Sequence, residues 1–160
     1  MPDLLTDGNT KVWSVPSISN ISSPTTTELN AGTALEGILT PDGLSGFQPA
    51  TASVDTSALN STFNTAIAGR VSFSNTALKL KKQSATADAV YNTLIYGYTT
   101  NIVIRRGTTS SNAWTSGDKV EVYPVQVGQV ANQDPAANTV QMYEIPLLVT
   151  TSPQLRGSVA

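Results

Sequence analysis

The sequence predicts a mainly β domain, and two observations carry that prediction. Two segments rich in Ile, Val and Tyr, 101–106 and 117–128, are separated by Gly, Thr, Ser and Asn. This is the form that an antiparallel hairpin takes in a sequence. Short segments of alternating polarity recur elsewhere, whereas only Thr86–Gly97 has strong apolar spacing typical of an α-helix. The expected class is therefore mainly β (α+β), built of antiparallel strands with one flanking α-helix.

The central hairpin changes its pattern at Pro124. Val120 and Val122 share one face of the second segment, whereas Val125 and Val127 fall on the opposite parity. Proline cannot donate to a strand ladder, so it is confined to edges and bulges. We therefore expect a bulge or a sheet edge at Pro124.

The remaining elements follow from local patterns. A short helix is expected at 23–32, with Ser23 as N-cap, Pro24 at the first helical position and Gly32 at its end. The second helix would begin at Thr86 and place its apolar stripe across one face of the sheet. Further strands are expected at 11–15, 52–57, 69–74, 77–81 and 139–150, the last with a kink or bulge at Pro146.

Residues 37–52 are expected to form a long protruding loop, because Gly and Pro interrupt the segment four times. Its apolar side chains either contact a neighbouring molecule or fold back over the subunit's own core. Trp114, in a polar turn region, is expected to be half-exposed or at an interface. The residues hypothesised to make inter-subunit contacts are Ile38, Leu39, Leu44, Phe47 and Trp114.

The chain length fits one domain, 1–160, with an N-terminal arm at 1–10 and a C-terminal arm at 152–160. Nine Lys and Arg against eleven Asp and Glu argue against a surface that grips nucleic acid. Charged residues are only 12% of the chain, and Ser and Thr supply roughly a quarter. Such a surface favours a protein that is largely covered by copies of itself.

Catalysis, cofactors and metal binding are not predicted. The chain has no His and no Cys, so the commonest general base and the commonest metal ligands are absent. A carboxylate pair such as Asp118 with Glu121 fits a solvated strand face better than an active site. For Arg105–Arg106 and the basic run 79–82, a solvated face or an inter-subunit ion pair is favoured over nucleic-acid recognition. No apolar run has the ~20 residues of a membrane span, and no signal peptide is recognised, so we expect synthesis in a cytoplasm.

Eight stretches, taken in order, resemble the major tail tube proteins of long, non-contractile-tailed (siphovirus-type) bacteriophages that infect actinobacteria. They cover nearly the whole chain, and no single one is a catalytic fingerprint. The stretches are Ile18–Thr25, Glu28–Gly37, Gly43–Phe47, Val54–Ser57, Gly69–Arg70, Arg105–Arg106, Gly117–Gly128 and Asn138.

This resemblance implies a small β-sandwich or distorted barrel with one flanking helix. It implies hexameric rings that stack into a tube in the virion tail, with genomic DNA as passing cargo. A long loop and the chain termini would reach the adjacent ring. The expected partners are the protein itself and other tail proteins such as the tape measure and the terminator.

Two alternatives stay open at the level of sequence. Another virion structural protein, such as a tail terminator, connector or decoration protein, would share this composition. A carbohydrate-binding β-domain would need an aromatic platform, for which only Trp114 with Tyr96 or Tyr98 is available.

Overall fold

Antiparallel strands dominate the computed structural model, which describes all residues 1–160, and this confirms the mainly β class. There are two short helices, one within each of the two segments expected to be helical: α1 is Thr26–Asn30 and α2 is Ala89–Thr93. The strands are β1 Thr10–Val15, β2 Thr33–Ala34, β3 Leu39–Ser45, β4 Ala50–Asp55, β5 Ala66–Ser72, β6 Ala77–Lys81, β7 Thr99–Arg106, β8 Lys119–Val127, β9 Ala131–Asn132, β10 Met142–Val149 and β11 Gln154–Ser158.

Nine strands form one curled sheet, and the other two form a separate ribbon. The curled sheet runs β2-β1-β7-β8-β10-β6-β3, with β11 added to β8 and β9 added to β10. It closes only partly and so resembles half of a barrel. Strands β4 and β5 pair with each other alone. The fold therefore consists of a curled body and a two-stranded extension.

The expected bulge or sheet edge at Pro124 was wrong, because the β7–β8 register continues without a shift and β8 is an interior strand. What changes at Pro124 is the strand partner on the other edge of β8. Strand β8 stays paired with β7 throughout, with Asn101 opposite Pro124. On its other edge, Val122 pairs with β11 and Val125 pairs with β10. Because Pro124 has no N–H to donate, it lies where one ladder ends and the next begins.

Two apolar cores lie on opposite faces of this sheet. The larger lies inside the curl and includes Tyr123, Val125 and Val127 of β8. The smaller packs the other face, including Val120 and Val122, against α1, Trp114 and the C-terminal Val159. The change of parity at Pro124 thus lets one strand supply both cores.

The first helix begins two residues later than expected. Thr25, and not Ser23, is the N-cap, because its hydroxyl accepts from the Glu28 N–H at 3.2 Å while the Glu28 carboxylate accepts from the Thr25 N–H at 2.9 Å. This reciprocal capping box satisfies two backbone donors at once, which a cap at Ser23 would not. Glu28 also accepts from the Ser19 N–H and hydroxyl, which fixes the preceding segment.

The second helix is one turn long, so the prediction of a helix over 86–97 was wrong in extent. Asp88 is its N-cap, accepting from the Tyr91 N–H at 3.1 Å and from the Gln83 N–H at 3.1 Å. Val90 and Leu94 reach the larger core, whereas Ile95 is exposed. A carboxylate with two local donors competes with helical pairing, and this explains why the helix does not begin at Thr86.

The protruding loop expected at 37–52 is instead largely a strand. Residues Leu39–Ser45 form β3 and pair with β6, with a register irregularity between Leu39 and Leu44. A Cβ at Gly43 would lie 2.7 Å from the Lys79 carbonyl oxygen, so the glycine allows β3 to approach β6 closely. The extension begins later in the chain, at β4.

The two terminal arms differ. In the C-terminal arm, Gln154–Ser158 is strand β11, and Val159 is buried in the smaller core. The prediction of an extended arm was therefore wrong there, because an apolar residue near the terminus is drawn into the core. Residues 1–9 form no strand, and they are tied down where the carbonyls of Gly8 and Asn9 accept from the β7–β8 connection.

Gly46 offers a test of the turn that connects β3 to the extension. Its φ is +72°, and an added Cβ would lie 2.4 Å from the Asn75 carbonyl oxygen. Gly117 has φ +90° but open space around it. In urea unfolding, Gly117→Ala is expected to lose about 1–2 kcal/mol from backbone conformation alone. Gly46→Ala should lose clearly more, and equal losses would contradict the steric account.

The Glu28 capping box predicts a pH dependence of stability. The hydrogen bond from the Thr25 N–H, then those from Ser19, lower the pKa of Glu28 from 4.5 to about 2. A carboxyl whose pKa is depressed in the folded state stabilises the fold above its unfolded pKa and stops doing so on acidification. The urea midpoint of the wild type should fall between pH 4.5 and 2, and Glu28→Gln should flatten that part of the profile. Parallel profiles for the two proteins would disprove the role of the box.

Candidate assembly surface

The β4–β5 ribbon leaves apolar side chains in solvent. Every residue of the two strands is exposed except Gly69, which is half-buried. Val54 lies directly opposite Ile67 in the ladder, and both side chains are exposed. An isolated two-stranded hairpin is at best marginally stable in water. The ribbon therefore needs a further surface to cover it.

The tip of the ribbon, defined as residues 56–65, has an ordered backbone. Thr56 donates its N–H to the Thr65 carbonyl, and their hydroxyls are 2.9 Å apart. The Thr65 N–H in turn donates to the Ser57 hydroxyl at 3.1 Å. This internal bonding leaves Leu59 fully exposed and Phe63 74% exposed. The tip is thus a preformed projection that presents two large apolar side chains, Leu59 and Phe63.

A β-bulge twists the ribbon near its base. Ser53 pairs with Ala68, but Thr51 pairs with Val71, so β5 carries one residue more than β4 between these pairs. A Cβ at Gly69 would lie 3.0 Å from the Val54 side chain, which explains the glycine in the Gly69–Arg70 pair. Bulges bend a strand and increase its twist, so this one redirects the ribbon.

The five residues hypothesised to make inter-subunit contacts pack within their own subunit. Phe47 is buried in the larger core, in edge contact with Tyr123 at 5.0 Å between ring centroids. Ile38, Leu39 and Leu44 are partly buried against the same core. Trp114 is 5% exposed, so the expectation of a half-exposed ring was wrong. Contacts of these five residues with a neighbouring copy stay a prediction.

Sequence reasoning identified the strands of the ribbon but missed their isolation. A usable signal was present in the spacing of Val54, Phe63, Ile67 and Val71, because these apolar residues lie in a Ser/Thr-rich stretch with only two charged residues. This distribution indicates a segment with exposed apolar side chains and few charged side chains on its opposite face.

Trp114 is buried because a cationic cluster encloses it. The Arg105 guanidinium donates to the carbonyls of Thr109, Asn112 and Ala113 and to Asp118, the last at 2.7 Å. The Lys11 ammonium donates to the Asn112 carbonyl at 2.8 Å. It also lies within 4.9 Å of the ring centroids of Trp13 and Trp114. Two cations therefore fix the connection between β7 and β8.

Electrostatics in this cluster reflect its burial. Desolvation, followed by the nearby Arg105 charge, lowers the pKa of Lys11. Backbone and guanidinium hydrogen bonds outweigh desolvation at Asp118, so the pKa of that carboxyl is also lowered. Asp118 thus pairs with Arg105 inside the fold. Trp114 is buried and offers no open platform for a carbohydrate.

The carboxylates considered for catalysis are engaged separately. Asp118 is bound to Arg105, whereas Glu121 accepts from Arg106 at 3.1 Å and from the Tyr123 hydroxyl at 3.0 Å. Burial, followed by the Glu121 charge, raises the pKa of Tyr123. No group of three or more acidic side chains is arranged to hold a metal ion. None of the helices has the length and apolar character needed to span a membrane.

Geometry and comparison together establish the class of this protein. The buried Arg105 is paired with Asp118 inside the fold. A group of exposed apolar side chains lies on the β4–β5 ribbon, which fits a structural assembly protein. A family model described as phage tail tube protein matches residues 1–160, so the chain belongs to the phage tail tube protein family. The chain is therefore a structural component of a virion tail and not an enzyme.

A similar fold is found in one solved structure of another phage-related assembly. A chain of the anti-feeding prophage baseplate, in a six-fold symmetrised cryo-EM structure, has a TM-score of 0.61 to this chain. The two are 13% identical over 98% of each chain, so the likeness shows the fold alone. No curated protein sequence matches the chain.

Arg105 and Arg106 form a matched pair for testing the cluster. Arg105→Met removes the buried cation that pairs with Asp118, together with its hydrogen bonds to three carbonyls, and should lower the free energy of unfolding by about 3–5 kcal/mol. Arg106→Met removes an exposed ion pair and should cost at most about 1 kcal/mol. Urea unfolding of both variants measures the difference. Similar losses would show that Arg105 does not organise the connection.

Proposed function

We propose that this protein is the subunit of stacked hexameric rings that form the tail tube of a long, non-contractile-tailed phage of actinobacteria. The observation that carries the proposal is the β4–β5 ribbon, which is exposed on every side in the isolated subunit. The six-fold symmetry of the assembly containing the similar baseplate chain supports a hexameric ring. Rings of this kind would be assembled in the host cytoplasm.

A protruding ribbon favours assembly into a tube because of the symmetry of its contacts. An extension that binds a different surface of the next copy makes a heterologous contact. Contacts of that type close into rings or continue as open stacks, and a tail tube combines both. The unpaired strand edges of the ribbon, which are an aggregation hazard in a monomer, become covered in the assembly.

Three cationic side chains are paired within the subunit, and this supports passage of DNA through such a tube. Arg105 is buried, Arg106 pairs with Glu121, and Lys79 lies 3.8 Å from Asp42 and opposite Glu144 in the ladder. Phosphate binding requires clustered free cations. We propose a lumen with few unpaired Lys or Arg, where DNA is cargo and does not bind. The tape measure and terminator proteins are the proposed further partners.

Substitution of the ribbon tip tests this proposal. Leu59→Ser with Phe63→Ser removes two exposed apolar side chains, so the unfolding free energy of the subunit should stay within about 0.5 kcal/mol of wild type. Tubes should form in the wild type at high concentration and be lost in the double variant, as judged by negative-stain electron microscopy.

Val140→Ser is the matched control, because Val140 is exposed outside the ribbon. This variant should assemble normally. A wild type that remains monomeric at all concentrations, or that forms only closed single rings, would refute the proposed tube.

A further inference from the structure

A groove of about 440 Å³ lies at the base of the ribbon, and it is called the basal groove here. Val71 and Phe73 form one wall, and Val149 and Pro153, on either side of the β10–β11 turn, form the other. Phe73 is in edge contact with Tyr123 at 5.9 Å between ring centroids, so this wall is tied to the larger core. The basal groove is thus an open cleft on the body of the subunit, lined by Ser and Thr hydroxyls together with a few apolar side chains.

The tip of the same subunit cannot fill this groove. Residues Ala50 and Ser72 pair at the base of the ribbon, and Asp55 and Ala66 pair at its far end. A strand rises about 3.3 Å per residue, so the tip lies about 20 Å or more from the groove. Bringing the two together within one chain would break the ladder. The occupant must therefore come from another molecule.

The tip and the groove are chemically alike. Residues 56–65 carry no charge, and neither do the eight residues that line the groove. Both combine Ser and Thr hydroxyls with a few large apolar side chains. Contact between them would therefore leave no buried charge without a partner. The ordered backbone of the tip reduces the entropy lost on binding.

We propose that the tip of each subunit inserts Leu59 and Phe63 into the basal groove of a neighbouring copy. This inference rests on the proposed tube function and identifies the surface that receives the ribbon. Because projection and groove lie at opposite ends of the ribbon, each copy that is bound presents a new tip to the next. The length of the ribbon then sets the spacing between the bodies of successive copies.

Engineered disulfides test the contact directly, because the native chain has no Cys. The variant Leu59→Cys with Thr151→Cys places one thiol on the tip and one beside the groove. A disulfide needs Cα atoms within about 7 Å, so only a close contact is captured. Assembled tubes, verified by microscopy and mildly oxidised, should give a ladder of covalent multimers that a reducing agent abolishes.

Leu59→Cys with Gln133→Cys is the control, because Gln133 is exposed outside the groove. It should give no ladder. Tubes that form without cross-linking of the first pair, or with equal cross-linking of both, would overturn the contact but leave the tube function intact. Failure of the unmodified protein to form tubes would overturn both.

A second variant fills the groove without adding a thiol. Thr151→Trp should raise the critical concentration for assembly by about tenfold or more, which corresponds to about 1.4 kcal/mol per contact. Thr139→Trp, at an exposed site elsewhere, should leave it unchanged. Unfolding of both subunits should match wild type, and normal assembly of Thr151→Trp would contradict the inserted tip.

Discussion

A two-stranded ribbon has no interior in which to bury apolar side chains, and the rest of the structure depends on this constraint. Each strand of β4–β5 pairs only with the other, and no element of the body covers its faces. Apolar side chains on such a ribbon gain little by folding alone, since burial requires a second layer. Burial of these side chains can therefore stabilise only an intermolecular contact. The isolated subunit is thus a folded body with an unsatisfied extension.

The body provides a rigid base for that extension. Strands β8 and β10 change partners along their length, which curls the sheet and lets it pack apolar residues on both faces. Arg105 fixes the β7–β8 connection, and the tight turn at Gly46 fixes the chain just before β4. A ribbon can hold a neighbouring subunit in a fixed position only if the base of the ribbon is rigid. The stable body therefore supports the ribbon, and the uncovered ribbon is available for contact with another copy.

Local patterns in the sequence were sufficient to predict much of the fold. The central hairpin, the change of parity at Pro124 and the strand with Pro146 all follow from period-two alternation and the missing N–H of proline. The expected resemblance to phage tail tube proteins is confirmed at the level of the family. Siphovirus and actinobacterial specificity stay predictions.

Other features depend on contacts between distant residues and were beyond sequence reasoning. The segment around Gly43 contains turn signals, yet it forms β3 because β6 offers a partner edge. Trp114 lies in a polar stretch, yet it is buried because Lys11 and Arg105 enclose it. The expected contact residues were chosen for local exposure, but tertiary packing buries Phe47 and Trp114 and partly buries the other three. Isolation of the ribbon is likewise a property of topology, and the local pattern around Val54 and Ile67 indicates only that the segment has an apolar surface.

Amide hydrogen exchange of the ribbon, before and after assembly, tests most directly whether copies of this protein provide its missing layer. In the isolated subunit, amides of β4 and β5 should exchange far faster than those of the buried strand β7, because small opening motions expose them. In assembled tubes, their protection should rise by an order of magnitude or more, while that of β7 stays constant. A ribbon that is equally protected in both states, or that remains unprotected within a tube, would contradict the account.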